Sequence, residues 1–199
     1  MTYTVTLNQI APHQPCVGRW AEALRLFGKT SPDDEPIPLA AILDKWGLDA
    51  ALWCLRDLGP EHDGAVRLLI CNFAAAALKH ASFCVRWRIL RPTIKVARHY
   101  ARGEATEKEL AIAGNAARTA AKCVTGEASA WSARAAAWTT VANPRSISKE
   151  ASWAANNAAV SAARGTSVGA LRAASLRASA AAKRKQEKIL RRWLKDGAR

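Results

Sequence analysis

Four cationic residues recur along one short segment of the chain at the spacing of a helix face. They stand at i, i+4, i+7 and i+11, and they are Arg91, Lys95, Arg98 and Arg102. This spacing places all four side chains along one side of a helix. We call these four residues the stripe. Like charges so arranged repel and weaken an isolated helix. The sequence leaves two ways to compensate for them: an anionic ligand, or the acidic residues that follow, Glu104, Glu107 and Glu109.

A second basic group follows in the next segment of the chain. Arg118 and Lys122 lie one helical turn apart, and Arg134 comes three turns later. If their helix packs beside the first stripe, the two groups form one basic groove, in which arginine side chains favour phosphate through bidentate hydrogen bonds. Binding that survives neutralisation of the six main residues would contradict this interpretation. The six predicted anion contacts are Arg91, Lys95, Arg98, Arg102, Arg118 and Lys122.

The last part of the chain carries a third and denser set of cations. Eleven basic residues and two acidic ones lie between Arg164 and Arg199. Such a segment is typical of an amphipathic helix on an anionic surface, of a nucleic-acid-binding arm, or of a solvated helix end. The predicted secondary basic arm consists of Lys183, Arg184, Lys185, Lys188, Arg191 and Arg192.

Other residue types give little support for catalysis. The chain has no HExxH, no complete phosphate-binding loop and no GxGxxG pattern. His80 and Cys84 have the spacing of metal ligands on a helix, as His13 and Cys16 do in a loop, but neither pair has a second pair to complete a zinc site. Aromatic residues do not alternate with the basic ones as a base-stacking platform requires. We therefore expect a binding protein that is not an enzyme and has neither metal nor cofactor.

The cysteines and the apolar runs indicate a cellular location. Five cysteines, an odd number, are widely spaced and form no CxxC pair. The first residues lack the basic and apolar regions of a signal peptide, and no apolar run reaches the about 18–20 residues of a membrane helix. We expect reduced cysteines in a soluble, cytoplasmic protein without a transmembrane segment.

The elements that must position the cations are predicted to be helices. Hydrophobic residues make up 50% of the chain, and many of them are alanine, the best helix former. A long central helix is expected over about 64–90, and Pro92 is expected to open the helix that carries the stripe. Thr106 and Glu109 fit a capping box that starts the next helix, which would reach Val141.

Two further helices complete the predicted fold. Ser146 and Ser167 are candidates to cap them. Trp131 and Trp138 are seven residues apart and share a helix face, and Trp153 on the following helix is positioned to meet them. The fold class predicted from these patterns is all-α: an alanine-rich antiparallel helical bundle with a short irregular N-terminal segment.

The charge divides the chain near residue 60. Residues 1–60 carry 5 basic and 7 acidic side chains, a net charge of −2, and residues 61–199 carry 25 and 9, a net charge of +16. The first part is predicted to be an irregular segment, with a short strand possible near its start, plus a helical hairpin, and the second an alanine-rich basic helical domain, both in one compact unit. A block this basic favours an anionic partner.

Four blocks of the sequence resemble a family of alanine-rich proteins found in tailed bacteriophages and prophages. The blocks are Thr4–Ile10 (TVTLNQI), Gly28–Leu39 (GKTSPDDEPIPL), Ala41–Arg56 (AILDKWGLDAALWCLR) and Thr93–Leu110 (TIKVARHYARGEATEKEL). The last block is also similar, more loosely, to alanine-rich putative immunity proteins. The resemblance implies a phage accessory protein made in the host cytoplasm, for host takeover or for countering host defence. It assigns no catalytic or binding residue.

Three functions agree with these features. The first is a non-enzymatic counter-defence protein that binds an anionic host defence component stoichiometrically: a nucleotide immune signal, a nucleic acid or an acidic protein. The second is a nucleic-acid-binding accessory protein that uses the basic arm and loses binding when residues 183–199 are removed. The third is an immunity-type interaction bundle whose charge only keeps it in solution. Thin alanine-rich faces also favour self-association as a homodimer.

Overall fold

The computed structural model of the chain describes residues 3–13, 17–124, 126–164 and 171–197. Helices account for nearly all of the secondary structure in these ranges, so the all-α prediction is confirmed. The α-helices are α1 (Leu7–Ile10), α2 (Val17–Leu26), α3 (Leu39–Trp46), α4 (Leu48–Cys54), α5 (Asp63–Ala77), α6 (Phe83–Val85), α7 (Arg91–Ala101), α8 (Glu107–Cys123), α9 (Glu127–Trp138), α10 (Ser148–Arg164) and α11 (Leu171–Gly197).

Short 3₁₀ and π segments join several of these helices. The 3₁₀ helices are Ala11–His13, Leu55–Asp57, Pro60–His62, Leu78–His80 and Arg145–Ile147, and the π-helix is Arg86–Leu90. Two short strands, β1 (Thr4–Val5) and β2 (Ile37–Pro38), pair antiparallel near the start of the chain. No helix of the described ranges has both the length and the apolar character needed to span a membrane.

Small side chains allow the helices of the second half to lie close together. Ala133 and Ala136 on α9, and Ala154 and Ala158 on α10, are all fully buried. Alanine has almost no side-chain entropy to lose on folding, so these contacts form at little cost although each buries a small area. A larger contact joins the two helices: the rings of Trp131 and Trp153 meet edge to face at 4.8 Å, as predicted. Trp138, which was expected to meet Trp153 as well, lines a pocket between α8 and α9 instead.

The hydrophobic core is continuous between the N-terminal segment and the last helix. Trp193 of α11 stacks on Tyr3, with ring centroids 4.1 Å apart, and its Nε1 donates to the carbonyl oxygen of Ala65 at 2.9 Å. Gln186, also on α11, is buried and donates to the carbonyl oxygen of Ser152 at 2.5 Å. The helix with the most basic sequence is therefore an integral wall of the core.

Helix boundaries differ from the predicted ones in two regions of the chain, and the first of these regions includes the stripe. The central helix ends at Ala77, well before the expected end at residue 90. A 3₁₀ turn follows it, and the helical path is interrupted at Ala81 and Ser82. Pro92 lies in the first turn of α7, as predicted, but no loop precedes it: the chain is helical without interruption from Phe83 to Ala101. A proline ring crowds the carbonyl four residues earlier and donates no hydrogen bond. We attribute the π turn that precedes Pro92 to this local conflict.

The second boundary concerns the helix that follows Thr106. The capping box is confirmed: the Glu109 amide donates to the Thr106 hydroxyl at 3.3 Å, and the Thr106 amide donates to the Glu109 carboxylate at 2.8 Å. The helix does not reach Val141, however, because α8 ends at Cys123 and α9 begins at Glu127. Ser146 lies in a 3₁₀ turn that leads into α10, and Ser167 is outside the described residues.

Candidate anion-binding groove

The predicted stripe lines one side of an open groove. The groove runs between the end of α5 with its 3₁₀ extension and the helical stretch that includes the π turn and α7, and it encloses about 1200 Å³. We call it the basic groove. All four stripe residues line it, together with two cations from its other side and from the π turn, and no carboxylate is among its described lining residues. Its six cations are Lys79, Arg86, Arg91, Lys95, Arg98 and Arg102.

The π turn places Arg86 in the basic groove. The amide of Arg91 donates to the carbonyl of Arg86, five residues earlier, so these two residues lie one above the other along the helix. In a regular α-helix they would be about 140° apart around the axis, at about 100° per residue. The Nε of Arg86 is buried and has no hydrogen-bond partner among the described residues. A buried donor without a partner is costly.

Aromatic rings lie beside these cations, contrary to the prediction that aromatic and basic residues do not alternate. Trp87 lines the basic groove and is 48% exposed. The guanidinium carbon of Arg91 lies 4.0 Å from the centroid of the Trp87 ring. Phe83, which is 68% exposed, lies 6.0 Å from Trp87 by ring centroids, and the guanidinium of Arg86 lies 5.8 Å above its ring. Arginine and aromatic side chains therefore alternate along this helix.

The acidic residues near α7 do not neutralise the stripe. Glu104 pairs with His99, Oε2 to Nδ1 at 2.7 Å, and Glu109 is engaged in the capping box at Thr106. Arg98 donates to the neutral amide oxygen of Asn72 at 3.2 Å. Within the part of the chain that the structure describes, none of the groove's six cations has a carboxylate within 4.0 Å. The sequence left two ways to balance the positive charge of the stripe, an anionic ligand or the acidic residues that follow it. The ion pairs with those acidic residues are not formed among the described residues.

The second predicted group lies in a different pocket. Arg118, Lys122 and Arg134 line a space of about 500 Å³ between α8 and α9, which shares no lining residue with the basic groove. The prediction of a single groove formed by both basic groups is therefore wrong. Trp138 also lines this second pocket, and Arg118 donates to the side chain of Asn115 at 2.7 Å. These three cations therefore lie together between α8 and α9, apart from the stripe.

The predicted basic arm is part of a docked helix. Most of its cations are exposed, but Arg191 is bound to Asp44 at 2.6 Å and to Glu187 at 2.8 Å. These hydrogen bonds, that to Asp44 first, hold the pKa of Arg191 above its ordinary value. Removal of residues 183–199 would also remove the buried Leu190 and Trp193. A loss of binding after that truncation would therefore report unfolding as well as lost charge.

The candidate metal ligands are not assembled. Among the described residues, no three His, Cys, Asp or Glu side chains lie together in a way that could hold a metal ion. Burial lowers the pKa of His80, and the nearby cations of Lys79 and Lys185 lower it further. Cys84 is exposed. His13 instead pairs with Asp57, Nε2 to Oδ1 at 2.8 Å, and Cys16 lies outside the described residues.

One motif was missed by the sequence reasoning. Residues 165–169 read GTSVG and so fit the GxSxG pattern that surrounds the nucleophilic serine of many hydrolases. These residues lie outside the described ranges. The pattern has catalytic meaning where a strand precedes the serine and a helix follows it, whereas here α10 precedes the motif and α11 follows it. The motif therefore gives no support for hydrolysis.

Comparisons with profiles of protein families, with curated proteins and with solved structures find no match to this chain. The geometry of the basic groove is therefore the basis on which its function is judged.

Proposed function

We propose that this protein acts by stoichiometric binding of an anionic, phosphate-bearing partner in the basic groove. The observation that carries the proposal is that six cations converge on one groove in which no described carboxylate neutralises them. Keeping like charges together costs folding free energy, and a bound polyanion would recover it. No described residue of the groove has the arrangement of a nucleophile with its base, which favours binding over catalysis.

The phage resemblance supplies the proposed setting. A phage protein that binds an anionic host component would sequester that component from the defence system that uses it. Sequestration of this kind requires affinity and a sufficient number of copies, and it requires no chemical step. We include this counter-defence role, in the cytoplasm of a bacterial host, in the proposal on the strength of the sequence resemblance.

Neutralising the groove is expected to weaken the binding of polyanions by at least about tenfold, because each charge-assisted hydrogen bond contributes about 1.5 kcal/mol or more. The variant is Arg91→Gln, Lys95→Gln, Arg102→Gln, three exposed positions of the groove. Isothermal titration calorimetry near physiological salt would compare three ligands: tripolyphosphate, an eight-nucleotide thymidine oligomer and a poly-aspartate peptide.

A matched control removes the same charge from another surface. Arg184, Lys188 and Lys195 are exposed on α11 and form no ion pair in the described structure. Their replacement by Gln lowers the net charge by the same three units and should change affinity less than threefold. Equal losses in the two variants would mean that binding follows net charge alone. Such a result, or the absence of binding by all three ligands, would refute the proposal.

A further inference from the structure

We propose that the ligand of the basic groove is a single-stranded nucleic acid whose phosphates follow the cation row while one base stacks on Trp87. This inference rests on the proposed function and narrows its partner to one chemical class. It is carried by three features of the groove: its length, the exposed aromatic ring at the π turn, and the single row formed by four of its six cations.

The length of the cation row exceeds the reach of a mononucleotide. Arg91 and Arg102 are eleven residues apart, which is about 16 Å along a helix at about 1.5 Å per residue. At about 3.4 Å per nucleotide of a stacked strand, this span matches about four or five nucleotides. The volume of about 1200 Å³ is also larger than the roughly 300–1000 Å³ of most small-molecule pockets.

The exposed ring of Trp87 provides a surface for an unpaired base. Nearly half of this side chain is open to solvent, and the guanidinium of Arg91 lies against its ring at 4.0 Å. Proteins stack the bases of single strands on aromatic rings such as that of tryptophan and on arginine guanidinium planes. The cations that would hold the adjacent phosphates, Lys95 and Arg98, line the same groove.

A duplex fits these features less well than a single strand. The bases of a duplex are already stacked on their neighbours, so none is free to lie on Trp87 without unpairing. A single row of cations on α7 also matches one phosphate backbone. An acidic protein surface would use the cations but would gain nothing specific from the exposed ring.

Oligomer length provides the first test. Calorimetry of the intact protein with thymidine monophosphate, a four-nucleotide and an eight-nucleotide thymidine oligomer should show at least a tenfold gain in affinity from the mononucleotide to the longest ligand. A hairpin duplex with the same number of phosphates should bind more weakly than the eight-nucleotide strand. The salt slope of log K should be about −3, from about 0.7 per phosphate over four or five phosphates, and the triple groove variant should reduce it by about 2.

Replacement of Trp87 provides the second test, and it separates stacking from charge. Trp87→Ala should lower the affinity for the eight-nucleotide strand about tenfold, within the range for loss of one stacked base. The affinity for tripolyphosphate should not change. Trp153→Ala is the control, because Trp153 is an exposed tryptophan on α10 and does not line the basic groove. Circular dichroism would verify that both variants fold.

The outcomes distinguish this inference from the proposed function. Equal affinity for the mononucleotide and the oligomers, a duplex that binds as well as the strand, or a Trp87→Ala variant with unchanged affinity would overturn the single-strand inference. In each of these three cases groove-dependent binding of a phosphate-bearing polyanion, and with it the proposed function, would stand. Tightest binding of poly-aspartate would overturn the single-strand inference and the phosphate-bearing partner of the proposed function, because this peptide carries no phosphate. Loss of groove dependence for every ligand would overturn both.

Discussion

Replacing Trp193 with alanine is expected to lower the free energy of unfolding by about 3–5 kcal/mol, the range for deletion of a large aromatic side chain from a core. The side chain is 9% exposed and stacks on Tyr3, with the two rings inclined by only 12°. Its indole nitrogen also donates to the carbonyl oxygen of Ala65. The variant would lose the stacking and the hydrogen bond and would leave a cavity between the last helix and the N-terminal segment.

Urea denaturation followed by far-ultraviolet circular dichroism would measure this change. Trp153→Ala is a matched control, because it removes the same side chain from a position that is 57% exposed. We expect a much smaller loss there, limited mainly to its contact with Trp131. Similar losses in the two variants would show that α11 is not docked as described.

Replacing Arg67 with alanine is expected to cost about 2–4 kcal/mol, because it leaves buried polar groups without a partner and creates a cavity. Arg67 is only 3% exposed. It donates to the carbonyl oxygens of Thr139 at 2.7 Å and Ala142 at 3.4 Å, and its guanidinium lies 5.1 Å from the centroid of the Tyr100 ring. Burial lowers the pKa of Arg67, although its ordinary value is high enough that it stays charged.

This prediction can be checked by the same denaturation experiment with two comparisons. Arg67→Met keeps most of the buried volume but none of the hydrogen bonds, so it should recover only part of the loss. Arg88→Ala removes an exposed arginine and should change stability by no more than about 0.5 kcal/mol. A wild-type value for Arg67→Ala would mean that this guanidinium does not tie α5 to the segment after α9.

The stripe on α7 was predictable because it depends on one helix alone. A period of 3.6 residues places Arg91, Lys95, Arg98 and Arg102 on one face wherever that helix packs, and the structure has all four in one groove. The same holds for the capping box at Thr106, whose donor and acceptor are three residues apart. Local geometry of this kind can be read from spacing because no distant contact enters it.

The remaining groove residues could not be predicted from helical periodicity. Arg86 and Trp87 are the first two residues of the π turn, which changes their angular position around the helix axis relative to the α7 stripe. Lys79 comes from a 3₁₀ turn on the opposite side of the groove. One signal was present in the sequence: the run FCVRWRILR, in which Phe83, Trp87 and Arg91 follow one another at intervals of four. Read as a helix, that run indicates an alternation of aromatic and cationic side chains.

The helices against which α8 packs could not be predicted from the sequence either. Its buried residues include Gly114, Ala117 and Ala120, which are small enough to lie against either neighbour. In the structure α8 contacts both α7 and α9, and Arg118 and Lys122 turn toward α9. Alanine-rich faces differ little in shape from one another. A sequence of this composition therefore predicts the presence of helices well and their packing partners poorly.

The stacking of Tyr3 on Trp193 has a consequence for the way the protein is made. The ribosome completes the N-terminal segment long before it adds α11, so the apolar side of that segment stays uncovered for most of synthesis. Contacts between residues this far apart in the chain also form slowly, because closing so long a loop costs entropy. We therefore expect the nascent chain to reach its final packing only after the last helix has left the ribosome.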